Sequence, residues 1–250
     1  MSRLGAWRSI LLVVLVVWMA TDAFGVVTRH DIDGVAEDAE ARRFRAVCKI
    51  LPDGEGVLIA PDWVLTAAHV TTSAPVDVLR ARFAGIDYRI SEVIPYPGWQ
   101  PGRADIALMK LASRVSGVEP LKLHDGPLEV GQRVWLAGRG DFGDGLRRVV
   151  GNDGKLRIAD NALFELKTDR LAIRLDDPDT GALPAEGISG PGDSGTPLLV
   201  DRDEYLEVIG IGSVGYVPSG GPYAAYGSVD VFIRTSYFRE WIDSRGGRAR

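Results

Sequence analysis

Cysteine is almost missing from this chain. Cys48 is the single one among 250 residues, so no intrachain disulfide can form and the fold must stand on burial. A domain of roughly 225 residues buries enough apolar surface for that. Histidine is scarce, and His30 and His124 lack the spacing of metal ligands. No apolar run reaches the ~20 residues that a membrane-spanning helix needs; the longest, residues 10–20, has 11. A basic excess is absent too: 29 Lys and Arg stand against 34 Asp and Glu, a net charge of −5. That excludes the positive field of a nucleic-acid or anionic-membrane binder. Helical periods are sparse, while 30 Gly and 14 Pro supply turn material in amounts that argue against a mainly helical fold.

What is present is an ordinary globular composition, 46% hydrophobic and 25% charged. The N-terminus has its own pattern: Arg3 and Arg8, then the apolar run, then Asp22 and Ala23-Phe24-Gly25 with small residues where a leader is cut. This predicts a signal peptide over residues 1–25 and a secreted or periplasmic protein without stable membrane insertion. An uncleaved anchor is the alternative, and the shortness of the run argues against it. Losing Arg3, Arg8 and Asp22 with the leader takes the charge from −5 to −6. Cys48 sits in an alternating segment and reads as a small buried hydrophobe.

Short apolar or alternating segments at 47–51, 56–60, 63–66, 76–83, 88–94 and 106–110 are followed by a break near 118–127. The pattern restarts at 133–137, 147–150, 155–158, 163–167, 171–175, 197–200, 206–212 and 230–234. Many short strands with Gly and Pro between them indicate an all-β sandwich or barrel. One helix is expected, over 236–244, with Tyr237, Phe238, Trp241 and Ile242 on one face.

Three strings carry chemistry. Thr66-Ala67-Ala68-His69 offers an imidazole after two small residues. Asp105-Ile106-Ala107-Leu108 puts a carboxylate at the head of an apolar strand. Gly192-Asp193-Ser194-Gly195 sets a hydroxyl in a glycine-flanked turn. A base, a carboxylate to orient it and a nucleophile are what acyl transfer by a serine hydrolase requires. The order His, Asp, Ser with these flanks resembles the chymotrypsin/trypsin family of serine endopeptidases, over roughly residues 26–242.

That resemblance implies two six-stranded antiparallel barrels with a C-terminal helix: His69 and Asp105 in the first (26–122), Ser194 in the second (123–235), helix and tail at 236–250. It implies catalysis by His69, Asp105 and Ser194, and an oxyanion hole from the N–H groups of Gly192 and Ser194. It implies protein or peptide substrates, no cofactor, no metal and a monomer. Asp193 is expected to pair with a new N-terminal ammonium. The family's Ile-Val-Gly-Gly start is absent, but Val26-Val27-Thr28-Arg29 lies about as far before His69, so a cut after Gly25 would expose Val26. Thr196 stands where the family usually has a second glycine. Gly54 and Val70 replace the cysteines that flank the catalytic histidine.

For the specificity pocket the resemblance places Ile188 at the floor, Ser213, Val214 and Gly215 along one wall, and Asp230 on the other. A buried carboxylate must have a partner, so Asp230 either selects Lys or Arg or pairs with an internal arginine while the pocket takes medium apolar side chains. Asp31, Asp33, Asp176, Asp177 and Asp179 lack the spacing of a calcium loop and read as solvated turns. A catalytically silent binding protein of the same fold is the alternative. An α/β-hydrolase is excluded by the residue order, since that fold runs Ser, Asp, His.

Overall fold

The computed structural model describes residues 25–32, 34, 41–151, 153–203, 205–221 and 223–246. The leader expected over 1–25 lies outside them, Gly25 excepted. No helix among the described residues is long and apolar enough to cross a membrane.

Strand β1 (Val27–Thr28) belongs to the second half of the fold. The first half is a closed barrel of β2 (Val47–Leu51), β3 (Glu55–Ala60), β4 (Trp63–Thr66), β5 (Arg80–Phe83), β6 (Ile86–Pro95) and β7 (Ala107–Leu111), in the order β2-β3-β4-β7-β6-β5. Closure, with β5 pairing back onto β2, leaves no unsatisfied edge. Ile50, Leu58, Val64, Phe83 and Met109 share its inward face, and Cys48 is buried with them. Burial pushes the Cys48 thiol pKa well above its ordinary value, so it packs as an inert hydrophobe. The strand expected from residue 76 starts only at Arg80, because the Pro75 carbonyl captures the amides of Val78 and Leu79 in a turn.

The second half contains β8 (Lys122–Leu123), β9 (Arg133–Gly138), β10 (Phe142–Asp144), β11 (Arg148–Gly151), β12 (Arg157–Ala162), β13 (Glu165–Leu166), β14 (Arg170–Arg174), β15 (Gly187–Ile188), β16 (Pro197–Asp201), β17 (Leu206–Tyr216) and β18 (Val229–Arg234). Its main sheet runs β12-β9-β16-β17-β18-β14-β13, with β8 alongside β17. The backbone ladder does not close between β12 and β14. The Asn161 side chain joins them instead: its Nδ2 donates to Arg174 O and Gly187 O, both at 2.9 Å. The expected second barrel is thus a curled sheet stapled by a buried amide. A four-stranded sheet, β11-β10-β1-β15, holds β1 between β10 and β15.

The C-terminal helix comes as a 3-10 turn (Thr235–Phe238) followed by α1 (Arg239–Ser244). The tighter turn shifts the phase of its side chains. Phe238 and Ile242 are buried and Trp241 packs beside them, but Tyr237 is 56% exposed and leaves the expected face. Phe238 and Trp241 meet the Tyr96 ring edge-on at 4.8 and 5.4 Å, so the chain end straps back over the first barrel. Truncating a buried Phe removes its transfer energy and leaves a cavity. Phe238→Ala is expected to cost about 3 kcal/mol in urea unfolding; a loss below about 1 kcal/mol would show that the strap adds little.

Candidate active site

Register explains why two distant residues meet. Strand β4 pairs antiparallel with β7, Thr66 opposite Ala107. Two residues back along the chain from Ala107 is Asp105, and three residues on from Thr66 is His69, so both leave the barrel at the same corner. Ala67 and Ala68 are fully buried at that exit, where larger side chains would not fit. The His69 ring donates Nδ1–H to Asp105 Oδ2 at 2.6 Å, and its backbone amide donates to Oδ1 at 2.8 Å. Ser213 Oγ, from β17 of the other half, donates to the same Oδ2 at 2.7 Å. Burial at 4% exposure works against the Asp105 charge. The bonds from the His69 ring, Ser213 and the His69 amide outweigh it and hold the carboxyl below its ordinary pKa. With Nδ1 committed to an ionised carboxylate, the partly exposed ring keeps Nε2 for proton transfer.

Ser194 comes from the turn before β16. Gly192 and Gly195 both take φ of +86°, a left-handed conformation that other residues rarely adopt. The neighbouring amides are bonded: Asp193 N to Gly190 O (3.1 Å), Gly195 N to Gly212 O (2.9 Å), Thr196 N to Asp193 O (2.9 Å). The amides of Gly192 and Ser194 have no partner among the described residues, which leaves the two donors expected of an oxyanion hole unspent. The turn is tied to the first barrel by Glu55 N donating to Ser194 O at 2.7 Å. Ser194 Oγ itself makes no hydrogen bond to His69 in this conformation; such contacts are often loose without substrate. Thr196 is fully buried, its hydroxyl satisfied by Ala137 O at 2.7 Å.

A pocket of about 260 Å³ opens beside Ser194, and Ser213, Val214, Gly215 and Asp230 line it as expected. Ile188 does not. It lies on β15, pairs with Val27, and is fully buried in a core with Val26 and Val27. Alternation along the chain turns its neighbour Ser189 to the pocket instead. Tyr223, which no pattern singled out, lines the pocket as well.

The chain matches the family model for trypsin over residues 32–242. A mouse (Mus musculus) tryptase is 28% identical over 214 residues, covering 75% of this chain and 76% of the tryptase. The chain belongs to the trypsin family. Serine peptidase chemistry is therefore its family background, and the all-β architecture agrees with it.

In this trypsin-family chain the lost cysteine pair keeps its place in space. A side chain on Gly54 would strike the Val70 methyls, one at 2.6 Å, so van der Waals contact stands where a disulfide would. The other acids have local roles: Asp31 pairs with Arg29, Asp176 with Arg174, and Asp177 caps the turn that follows it. Asp33 lies outside the described residues. His124 is buried against Glu207 at 2.8 Å, and His30 meets the Tyr226 hydroxyl at 2.6 Å.

Behind the serine turn lies a buried acidic layer in which Asp193 was expected and Glu55 was not. Asp193 is fully buried, with amides of Gly140 (2.5 Å) and Gly190 (2.8 Å) donating to its carboxyl. Burial, and then the nearby Glu55, push its pKa well above the ordinary value. Val26 is buried close by, its nitrogen a peptide amide in the uncut chain, so no ion pair with Asp193 exists there. Glu55 is also fully buried; Arg139 N donates to its Oε1 at 3.1 Å, and the Arg139 guanidinium is 3.6 Å from Oε2. Burial raises the Glu55 pKa to about 7 despite Arg139 and Lys49. The folded protein then holds a proton on Glu55 that the unfolded chain releases near its ordinary value of 4.5. Stability falls as pH rises through this interval and levels off above it, a loss of about 3 kcal/mol from this group. Chemical unfolding from pH 4.5 to 8 should show Glu55→Gln losing less stability than the wild type; parallel profiles would remove Glu55 as the cause.

Proposed function

We propose that this protein is an exported serine endopeptidase. Ser194 attacks the peptide carbonyl while His69 takes the hydroxyl proton, and the amides of Gly192 and Ser194 receive the negative oxygen. His69 then gives the proton to the leaving amine. Water enters by the same route to release the acyl group from Ser194. Asp105 stays ionised, fixes the His69 tautomer and stabilises the imidazolium. The observation that carries this reading is the Asp105 carboxylate, bonded at once by the His69 ring and by Ser213 of the opposite half. A fluorophosphonate probe is expected to label Ser194 in the mature protein, with labelling lost in Ser194→Ala and His69→Ala. Asp105→Asn should lower turnover by on the order of 10⁴, the loss general to such triads. The missing Ser194–His69 bond favours a second reading, a silent fold used for binding. An unlabelled Ser194 in correctly processed protein decides for it.

Export and activation form one event in this reading. Removal of residues 1–25 frees the Val26 amine, and its ammonium pairs with Asp193. The position of β1 supports this. Val26 and Val27 are fully buried. Gly25 lies against the residues that bind Asp193: a side chain on Gly190 would stand 2.6 Å from the Gly25 carbonyl, and one on Gly25 3.2 Å from that of Gly140. Mass spectrometry of the exported protein should find Val26 first, and a form with one extra residue before it should lose at least about a hundredfold in activity. A fully active enzyme starting elsewhere overturns the ion pair.

A further inference from the structure

The base of the pocket beside Ser194 is built from three side chains that bind one another. Asp230 is 3% exposed, yet neither oxygen waits for a ligand. Ser189 donates twice to Oδ2, through its amide at 2.7 Å and through its hydroxyl. The Tyr223 hydroxyl bonds Oδ1, and it also lies 2.8 Å from Ser189 O. The Tyr223 ring is pressed on the pocket wall at Gly215, so closely that a side chain at Gly215 would overlap the ring atoms. The space a glycine leaves in that wall is therefore filled by the protein's own phenol.

We propose that Tyr223 is the specificity-determining residue of this pocket: it caps Asp230 and confines the pocket to uncharged side chains on the residue whose carbonyl Ser194 attacks, excluding Lys and Arg. The inference rests on the peptidase reading for its substrates, but its physical content is a capped carboxylate. A carboxylate offers about four lone-pair positions, and Ser189 and Tyr223 take three. To gain a charge-assisted bond a lysine or arginine would have to push the Tyr223 hydroxyl off Asp230, breaking that bond and leaving the hydroxyl only Ser189 O as acceptor. An apolar side chain meets Val214, Val231 and the flank of the Tyr223 ring and breaks nothing. Burial raises the Asp230 pKa to about 6, with the Ser189 and Tyr223 bonds opposing it, so the capped group also holds its charge weakly.

The test uses the mature protein and matched peptides that differ only at that residue: Ala, Val, Leu, Phe, Gln, Lys and Arg. Uncharged residues are expected to exceed Lys and Arg in kcat/KM by at least about tenfold. Tyr223→Ala should raise kcat/KM for Lys and Arg by about a hundredfold, and adding Asp230→Asn should abolish that gain. Tyr223→Phe keeps the ring, guards against a folding defect in the alanine variant, and should give a smaller rise. Benzamidine, an aryl amidinium, tests the cap without catalysis: calorimetry should show no binding to the wild type and binding to Tyr223→Ala. A wild type that prefers Lys or Arg, or binds benzamidine as well as Tyr223→Ala does, overturns the proposal. Loss of fluorophosphonate labelling with the benzamidine contrast intact would instead overturn the peptidase reading and leave the cap standing.

Discussion

Of the hydrogen bonds that cross the seam between the halves of this molecule, two hold the site directly. Ser213 Oγ reaches from β17 to Asp105, and Glu55 N reaches from β3 to the carbonyl of Ser194. Each half is rigid for its own reasons, the first because its barrel is closed, the second because Asn161 staples its open edge. Neither half alone fixes the distance from the His69 ring to the Ser194 hydroxyl. The seam bonds do so from both sides: one holds the carboxylate that orients the imidazole, the other the backbone of the serine turn. Because Ser213 sits one residue past Gly212, whose carbonyl binds Gly195 N, the two ties are coupled through a single short stretch of β17.

A fold that relies on disulfides to hold its catalytic loop can keep the loop without them if packing fills the same space. At Gly54 and Val70 the branched side chain of one residue fills the void left by the missing side chain of the other. Contact of this kind gives less constraint on the unfolded chain than a covalent bridge would. The compensation here is burial and hydrogen bonding: Val70 is 3% exposed, Thr71 bonds back to Ala68 O at 2.7 Å, and the His69 amide is held by Asp105. The loop is thus pinned at its start by the carboxylate it serves.

What could be read from the sequence was whatever is local. The residues flanking His69, Asp105 and Ser194 form short local strings whose order together carries the chemistry, and the strand alternation marked both β-rich halves. Contacts made at long range were not legible. Nothing in the segment around Tyr223 marks it as a partner for Asp230, because the pairing exists only after β18 has been laid beside β17. Counting back from Ser194 reached Ile188, one residue from the correct Ser189, and in an extended segment one residue is the difference between core and pocket. The two-residue strands β1 and β15 carry too few positions to show a period, so their pairing had no signal. The Glu55–Arg139 pair lay hidden for a related reason: a glutamate in a strand normally faces water, and only the packed seam turns this one inward.

The buried acids behind the serine turn make the charge of Asp193 a mechanical quantity. Amide donors bind a carboxylate roughly twice as strongly as a neutral acceptor. While burial and Glu55 favour the neutral form, the bonds from Gly140 and Gly190 hold that turn at the weaker of two strengths. The cations already in place are committed: Arg139 faces Glu55, and Lys49 Nζ donates to Gly192 O at 3.3 Å with Asp53 4.0 Å away. An ammonium delivered at Val26 by the proposed maturation would ionise Asp193, tighten both amide bonds and draw in the segment from Gly190 to Gly192. Since Gly192 supplies one of the two unspent donors, a charge created at the chain's new end would be felt where the substrate oxygen sits, without any rearrangement of His69 or Asp105.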